Sequence, residues 1–370
     1  MEINSYDKRA KVLAFYLPQF FPNEFNDKWY GKGFTEWTNV GKAKPLFRGH
    51  YQPRVPSDLG YYDLRVPKVA EQQAELAQEA GVFGFAYWHY WWGGKMLLHE
   101  PGERMLKTGN PDFPFMFAWA NEDWYKKSWS KDRNDDKLIM KQTYPGEEDN
   151  RNHFNYCLPF FKDKRYITFD GRPIFLIYRP MSFNGITSFL NQWNKLIKEA
   201  GVANSFYFVA LAYRNDEIEK LKEIGFDCVS PQHTLRTPMG WNSKKEYIRA
   251  LWMQMKGEYL GLLRQMDYSN YYKTIWNEEI DCREDVAPQI IPCWDNTPRA
   301  GRRGLIYKNS TPDNFRKAAE VLMKGIQRKH NKMVFLKSWN EWAEGNYMEP
   351  DLCYGHQYIK ALASAIENNK

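Results

Sequence analysis

Short apolar segments alternate along this chain with longer stretches in which apolar residues recur at helical spacing. The short segments are rich in aromatic and β-branched residues and lack a polar alternation, which is typical of buried parallel strands. Eight such segments are predicted, at residues 12–17, 82–88, 113–119, 173–178, 206–211, 226–230, 289–293 and 333–337.

Three of the intervening stretches carry recognisable helix boundaries. One apolar face runs over residues 66–80 and stops at Gly81, and a second runs over residues 186–197 and stops at Gly201. A third begins at Thr311, a hydroxyl cap followed by Pro312 in the first turn, and reaches residue 326. The pattern therefore predicts an α/β protein in which strands and helices alternate.

Eight strands joined by helical crossovers imply a parallel sheet, and eight is the strand number of a closed (β/α)8 TIM barrel. An open doubly wound sheet is the alternative, but residues 16–22 after the first strand contain no glycine-rich phosphate turn. We predict one barrel domain over residues 1–370, with long loops after strands 1 and 6, at residues 18–62 and 232–287. The second loop is predicted to be helical in part.

Composition adds a ligand class to this fold. Aromatic residues make up 17% of the chain, with 15 Trp and 24 Tyr, which is more than a core requires. Large aromatic rings with a polar group suit ligand-contacting surfaces, and sugar rings present apolar C–H faces to them. The alternative is a fold that simply packs many aromatic residues, and composition alone favours sugar binding over it.

Charge and cysteine content exclude several other classes. The net charge of +7 is spread among 45 acidic residues, so we expect no nucleic-acid partner, although an acidic glycan or a nucleotide-linked sugar remains compatible. Five cysteines without a C-x-x-C pair argue against a disulfide scaffold or structural zinc, and we expect no metal and no cofactor. No leader or membrane-spanning run is visible, so a cytoplasmic protein is expected, or a periplasmic one if a leader was removed.

Aromatic, polar and acidic residues cluster at and beyond the ends of the predicted strands, where a TIM barrel carries its chemistry. Individually they have simpler explanations, since tryptophans can cover a core and an isolated histidine is more often structural. Together they predict a glycan cleft, with the candidate substrate-binding residues Tyr16, Trp37, Trp88, His89, Trp91, Trp119, Asn121, Glu122, Tyr178, Trp294, Asp295, Arg299, Asn340 and Trp342.

The candidate catalytic residues are Glu341 and Glu344, in the segment that follows the last strand. Cleavage of a glycosidic bond usually needs two carboxyl groups, one protonated and one acting as base or nucleophile. Three-residue spacing places both on one side of a helical turn but not of a strand. The segment must therefore leave the strand in a turn, and Gly345 is consistent with that. Two surface acids are the simpler alternative, which the flanking Trp339 and Trp342 make less favourable.

These motifs resemble the WbsX-like group of proteins, whose members are described as glycosyltransferases of lipopolysaccharide biosynthesis and which is related to glycoside hydrolase family 99. The resemblance covers nearly the whole chain. It rests on the blocks at residues 14–20 (AFYLPQF), 33–40 (GFTEWTNV), 53–56 (PRVP), 84–91 (GFAYWHYW) and 339–345 (WNEWAEG).

The resemblance implies a (β/α)8 barrel acting on α-mannoside-like linkages with retention of configuration. Glu341 would deprotonate the substrate 2-hydroxyl, a 1,2-anhydro sugar would form, and Glu344 would serve as general acid and then general base. Glu122 is similar in position to an acid that binds the adjacent sugar. Ala343 stands where family 99 has histidine between the two acids, which leaves the substrate open.

Three functions follow from these expectations. The first is a retaining, endo-acting glycoside hydrolase or a transglycosylase. The second is a glycosyltransferase of lipopolysaccharide, O-antigen or capsule synthesis. Against it, sugar-nucleotide transferases commonly use phosphate-binding loops or an Asp-x-Asp metal site, and the acidic run at residues 134–136 lies in a charged loop. The third is a non-catalytic glycan-binding protein, for which two intact acids would be unnecessary.

Overall fold

The computed structural model describes residues 1–4, 6–126, 137–232 and 263–369, together with positions 248, 252 and 255. The acidic run at residues 134–136 and about half of the predicted second insertion therefore lie outside the described residues. Among the residues that are described, no helix has the length and apolar composition needed to cross a membrane.

All eight predicted strands are present, with ends shifted by up to a few residues. The seventh is the most shortened, because Pro292 lacks the N–H that a continuing ladder would need. The strands are β1 (Lys11–Tyr16), β2 (Val82–His89), β3 (Phe115–Trp119), β4 (Arg172–Ile177), β5 (Tyr207–Ala212), β6 (Cys228–Pro231), β7 (Gln289–Ile290) and β8 (Met333–Leu336).

These strands form a curled parallel sheet in the order β7-β8-β1-β2-β3-β4-β5-β6, which confirms the predicted parallel α/β architecture. The order is cyclic, as a barrel requires, since β8 pairs with β1. Between β6 and β7 the described residues make one parallel bridge, from Val229 to Val286, rather than a ladder. Closure of the sheet into a full (β/α)8 barrel therefore stays a prediction.

The predicted helix boundaries are confirmed at all three positions. Gly81 follows the helix Pro67–Glu79, and Gly201 follows the helix Ile186–Glu199. Their φ values of 74° and 66° lie in a region that favours glycine. The Thr311 side chain accepts a hydrogen bond from the Asn314 amide and so caps the helix that Pro312 opens. The main crossover helices are α1 (Glu36–Lys42), α2 (Pro67–Glu79), α3 (Glu100–Thr108), α4 (Glu147–Phe161), α5 (Ile186–Glu199), α6 (Glu217–Ile224), α7 (Thr297–Ala300), α8 (Pro312–Ile326) and α9 (Gln357–Glu367).

Both predicted long loops carry secondary structure of their own. The loop after β1 contains a helix at Glu24–Tyr30 as well as α1. The described end of the loop after β6 contains a strand at Arg264–Asp267, which pairs with Leu305–Lys308, and a short helix at Glu278–Asp281. A further long loop after β3, not predicted, carries an antiparallel pair, Trp124–Lys126 with Lys137–Met140. These loops surround one end of the sheet.

Candidate active site

A cleft with a volume of about 700 Å³ opens at the carboxyl ends of the strands. Each of the eight strands contributes at least one lining residue at or just beyond its end, as expected for the catalytic face of this architecture. In strand order these residues include Leu17, Gln19, Trp88, Tyr90, Ala120, Glu122, Tyr178, Arg179, Tyr213, Gln232, Trp294, Asn296, Lys337, Glu341 and Glu344.

Glu341 and Glu344 both line this cleft, because the chain turns sharply after β8. Asn340–Glu341 pairs with Asn346–Tyr347, and the residues between them form a 3-10 turn, Trp342–Glu344. Gly345 closes the turn at a φ of 59°, and a Cβ added there would lie 2.8 Å from the Cβ of Asp295. The turn that the spacing of the two acids required is therefore present, and it has no room for a side chain at its last position.

Arg299 of α7 holds three carboxylates together. Its Nη1 donates to Glu344 Oε1 at 2.7 Å, and its Nη2 donates to Glu341 Oε2 at 3.3 Å. Its Nε donates at 3.2 Å to Oε1 of Glu36, which also accepts a bond from Nη2 and one from the Ala343 amide at 3.2 Å. Since Glu36 opens α1 in the loop after β1, the guanidinium ties that loop to the turn after β8.

The electrostatics of this cluster favour one proton on Glu341. Burial, followed by the negative charge of Glu344, raises the pKa of Glu341 to about 8, although Arg299 and Lys337 act to lower it. Burial also raises the pKa of Glu36, against the opposing effect of Arg299. Two nearby carboxylates in a poorly solvated site share a proton in this way, which is the condition for acid/base work near neutral pH.

This arrangement predicts that kcat/KM falls on the alkaline side of its pH profile. An acid/base pair that acts with one proton should lose activity as pH rises through about 8, where the pKa of Glu341 predicts that this proton is lost. Initial rates with a glycan substrate at constant ionic strength would measure this profile. Activity that keeps increasing beyond pH 9 would contradict a catalytic proton on this pair.

A second ion pair lies on the opposite wall of the cleft. Arg179, just beyond β4, donates from Nε and Nη2 to Glu122 Oε2, both at 3.2 Å. Its guanidinium lies 4.0 Å from the centre of the Tyr213 ring. Asn121 accepts from the Arg179 amide at 2.7 Å and fixes the backbone there. Glu122 thus faces the cleft beside aromatic rings, as a sugar-binding acid would.

Comparison with known proteins gives the family. The model of the family described as "Glycosyltransferase WbsX" matches residues 12–362. The chain belongs to the WbsX family. It is 32% identical over 366 residues to "Uncharacterized protein WxcX" of Xanthomonas campestris pv. campestris (strain B100), covering 96% of this chain and 50% of that protein. A second strain, ATCC 33913, has an equally similar protein, so the chain spans about half the length of these curated relatives.

Solved structures show the same fold at low sequence identity. A "Glycoside hydrolase-like protein" has a TM-score of 0.61 and 16% identity, covering 97% of this chain and 94% of its own. The GH99 endo-alpha-mannosidase of Bacteroides thetaiotaomicron has a TM-score of 0.57 and 13% identity, covering 98% and 97%. The WbsX-family chain thus has a fold similar to that of the family 99 enzyme.

The structure brings only part of the predicted substrate-binding set to the cleft of this WbsX-family protein. Beside the two acids, the residues that line it are Trp88, Glu122, Tyr178, Trp294 and Arg299. The predicted residues that do not line it are buried or, for Trp37, half-buried, and they contact other protein groups; these are Tyr16, Trp37, His89, Trp91, Trp119, Asn121, Asp295, Asn340 and Trp342.

Several of these supporting residues fix the turn that carries the acids. The Asp295 amide donates to the Glu344 carbonyl at 2.7 Å. Asn340 accepts from the Leu17 amide at 2.7 Å, and the Trp342 indole donates to the buried Glu349 at 2.6 Å. None of these three residues lines the cleft where substrate contact was predicted for them. Each is instead bonded to protein groups and contributes to the geometry of the site.

One group of described residues could hold a metal ion. His89, His153 and Cys157 are buried together, with their candidate ligand atoms within 4.8 Å of one another. The two histidine Nε2 atoms are 2.8 Å apart, which is a hydrogen-bond distance, whereas two ligands of a tetrahedral zinc lie roughly 3.3 Å apart. Burial lowers the pKa of both imidazoles. A neutral, hydrogen-bonded pair between His89 of β2 and His153 of α4 therefore explains the two histidines.

The predicted set omits several residues that face the cleft, above all Glu36 and Lys337. Glu36 belongs to the block at residues 33–40 that supports the family resemblance, and an acid inside an aromatic block is a signal that could have marked it. Lys337 is the last residue of a predicted strand, and from the sequence it would be interpreted as a polar residue at the strand end. Further cleft residues outside the set are Leu17, Gln19, Tyr30, Phe34, Asn39, Tyr90, Ala120, Asp123, Trp124, Tyr125, Arg179, Tyr213, Gln232, Arg264, Asn296 and Leu305.

Proposed function

We propose that this WbsX-family chain is a retaining glycoside hydrolase or transglycosylase that acts on α-mannoside-like linkages, with Glu341 and Glu344 as its acid/base centre. The observation that carries the proposal is the pairing of these two carboxylates on Arg299 in the cleft to which every core strand contributes. A raised pKa on one of the two supplies the proton that glycosidic cleavage requires.

The mechanism proceeds through the substrate's own 2-hydroxyl. Glu341 takes the proton of that hydroxyl as its oxygen attacks the anomeric carbon, while Glu344 protonates the departing glycosidic oxygen. A 1,2-anhydro sugar forms, and a water or an acceptor sugar, deprotonated by Glu344, then opens it as Glu341 returns its proton. Neither step needs an enzyme nucleophile.

These roles require the shared proton to move when substrate binds. In the free protein the raised pKa of Glu341 keeps the proton there, which is the opposite of the order that the mechanism needs. A substrate 2-hydroxyl that donates a hydrogen bond to Glu341 stabilises its ionised form, because hydrogen bonding to a charged carboxylate lowers its pKa. The proton then belongs on Glu344, opposite the leaving oxygen.

A glycosyltransferase is the second candidate, and the description of the family favours it. Such an enzyme would transfer a sugar from a nucleotide-linked donor. The cleft contains cationic residues that could face a diphosphate, namely Arg179, Arg264, Arg299 and Lys337.

A glycan-library digestion read by mass spectrometry tests the two candidates. The protein is incubated with mannose-containing polysaccharides in the presence and absence of sugar nucleotides, beside the Glu344→Gln variant. Shortened glycans or rearranged chain lengths without a nucleotide are expected for the proposed function. Extended glycans that form only with a nucleotide would replace it with the transferase. Products from Glu344→Gln equal to those of the parent protein would remove Glu344 from the chemistry.

A further inference from the structure

Lys337 is a buried lysine at the centre of the cleft. It directly follows β8 and precedes Glu341 by four residues in the sequence. Its backbone amide donates to the Ile290 carbonyl at 2.9 Å. The residue is 7% exposed, yet it lines the cleft, so its side chain reaches the cavity rather than outside solvent. Its ammonium lies 5.9 Å from the centre of the Trp294 ring.

The ammonium differs from the two best-defined guanidinium groups of the cleft. Arg299 is bound by three carboxylates and Arg179 by Glu122. Within the described part of the chain, by contrast, Lys337 Nζ has no hydrogen-bond acceptor within 3.5 Å and no carboxylate oxygen within 4.0 Å. A primary ammonium can donate three hydrogen bonds, and here the protein supplies no direct acceptor for them.

Three carboxylates and one guanidinium influence the charge of this ammonium. Burial lowers the pKa of Lys337, and Arg179 acts in the same direction, whereas Glu344, Glu341 and Glu122 act to raise it. A buried charge without a bonded partner is costly, and an anionic oxygen supplied by a ligand would remove most of that cost.

The local charge balance allows such a ligand to enter. When Glu341 holds its proton, the two negative charges of Glu36 and Glu344 balance the two positive charges of Arg299 and Lys337. Glu122 and Arg179 balance each other on the opposite wall. An anionic ligand is therefore not repelled by these residues taken together, and its most favourable contact among them is the lysine that no carboxylate binds.

We propose that Lys337 forms an anion-binding subsite and that the sugar unit bound beside Glu341 and Glu344 carries a carboxylate or a phosphate ester. The subsite rests on the proposed function for the presence of a glycan in the cleft. It is independent of whether a bond is hydrolysed or transferred there. It makes the enzyme specific for an acidic polysaccharide rather than a neutral mannan.

Ligand-observed NMR titrations of the full chain test this subsite without turnover. The probes are methyl α-D-mannoside, D-mannuronate and mannose 6-phosphate, each at low and at high salt. At least one anionic sugar is expected to bind about tenfold more tightly than the neutral mannoside, with a preference that high salt weakens. Preference for mannuronate identifies a carboxylate, and preference for mannose 6-phosphate identifies a phosphate ester.

Variants of Lys337 decide whether the preference belongs to this residue. Lys337→Gln and Lys337→Met are expected to abolish the anionic preference while methyl mannoside binding stays within about twofold. Lys337→Arg should keep part of the preference. Lys42→Gln, an exposed lysine in the last turn of α1, makes the same change in net charge and should keep all of it. Thermal unfolding of each variant establishes that it is folded.

Two results would overturn the subsite. One is equal binding of neutral and anionic sugars by the parent protein, and the other is an anionic preference that survives in both neutral variants of Lys337. If Lys337 only tunes the acid pair, its replacement would shift the pH profile equally for neutral and anionic substrates. Since these titrations involve no cleavage, a failed digestion experiment would refute the proposed reaction and leave the subsite standing.

Discussion

Replacement of Glu344 by glutamine is expected to reduce kcat/KM by at least about 100-fold on a glycan substrate, while glycan binding is retained. The amide keeps the size of the side chain and can still contact Arg299, but it cannot donate a proton to the leaving oxygen. Initial rates and a binding titration on the same preparation would measure the two effects separately. Loss of binding in parallel with turnover would indicate a positioning role instead.

A substrate whose leaving group needs no proton would distinguish the roles of the two acids. A glycosyl fluoride needs no proton to depart, so Glu344→Gln should retain much of its activity on that substrate. Glu341→Gln should be inactive on both substrates, because deprotonation of the 2-hydroxyl is still required. The reverse pattern would exchange the two assignments, in line with the resident proton on Glu341. Glu367→Gln, an exposed acid at the end of α9, is the matched control.

Replacement of Arg299 by methionine is expected to lower the free energy of unfolding by about 3 kcal/mol as well as impair catalysis. The Glu36 side chain is 2% exposed and would lose its ionic partner, which is the main cost. Arg299 itself is 25% exposed, so the lower part of the range for buried pairs applies. Urea unfolding at neutral pH would measure the loss.

The same substitution should move the alkaline limb of the pH profile upwards. Arg299 acts to lower the pKa of Glu341, which is about 8 with the guanidinium in place, so its removal lets the pair hold the proton to higher pH. Arg302→Gln, an exposed neighbour, should change neither stability nor pH profile. The double variant Glu36→Gln/Arg299→Met should recover part of the stability, because the amide removes the unpaired buried charge of Glu36. Strictly additive losses would contradict the coupling of these two residues.

Most of the fold could be predicted from the sequence, because buried parallel strands are nearly continuous apolar runs. All eight runs became strands, and Gly81 and Thr311 marked helix boundaries through local backbone and capping effects that depend on few neighbours. The pairing between β6 and β7 could not be predicted in this way. Its geometry depends on contacts between segments far apart in the chain, and no local pattern encodes them.

The site was harder to predict, since the side of the strand on which a residue lies decides its role. Trp88 and Tyr90 line the cleft, whereas His89 and Trp91 between and after them face α4 and bind His153 and Asp149. This is the alternation expected of extended backbone, and it divides a block of equally aromatic residues into two functions. A list of strand-end aromatics cannot make that division unless the phase of each strand is known.

Glu36 was missed for a different reason. It lies 263 residues from Arg299, and only the folded loop after β1 brings the two together. Lys337 was missed because a lysine at a strand end is usually a solvated residue. Neither position is distinguished by its neighbours in sequence, so both required the three-dimensional arrangement.

The bond between α1 and Arg299 has a consequence for protein engineering. The loop after β1 contributes Glu36 to the acid cluster, so this loop cannot be exchanged between relatives as an independent specificity element. A chimera that imports a foreign first loop without a carboxylate at this place would leave Arg299 paired with Glu341 and Glu344 alone. A chimera designed to transfer substrate preference between relatives should therefore exchange the first loop and the segment containing α7 together.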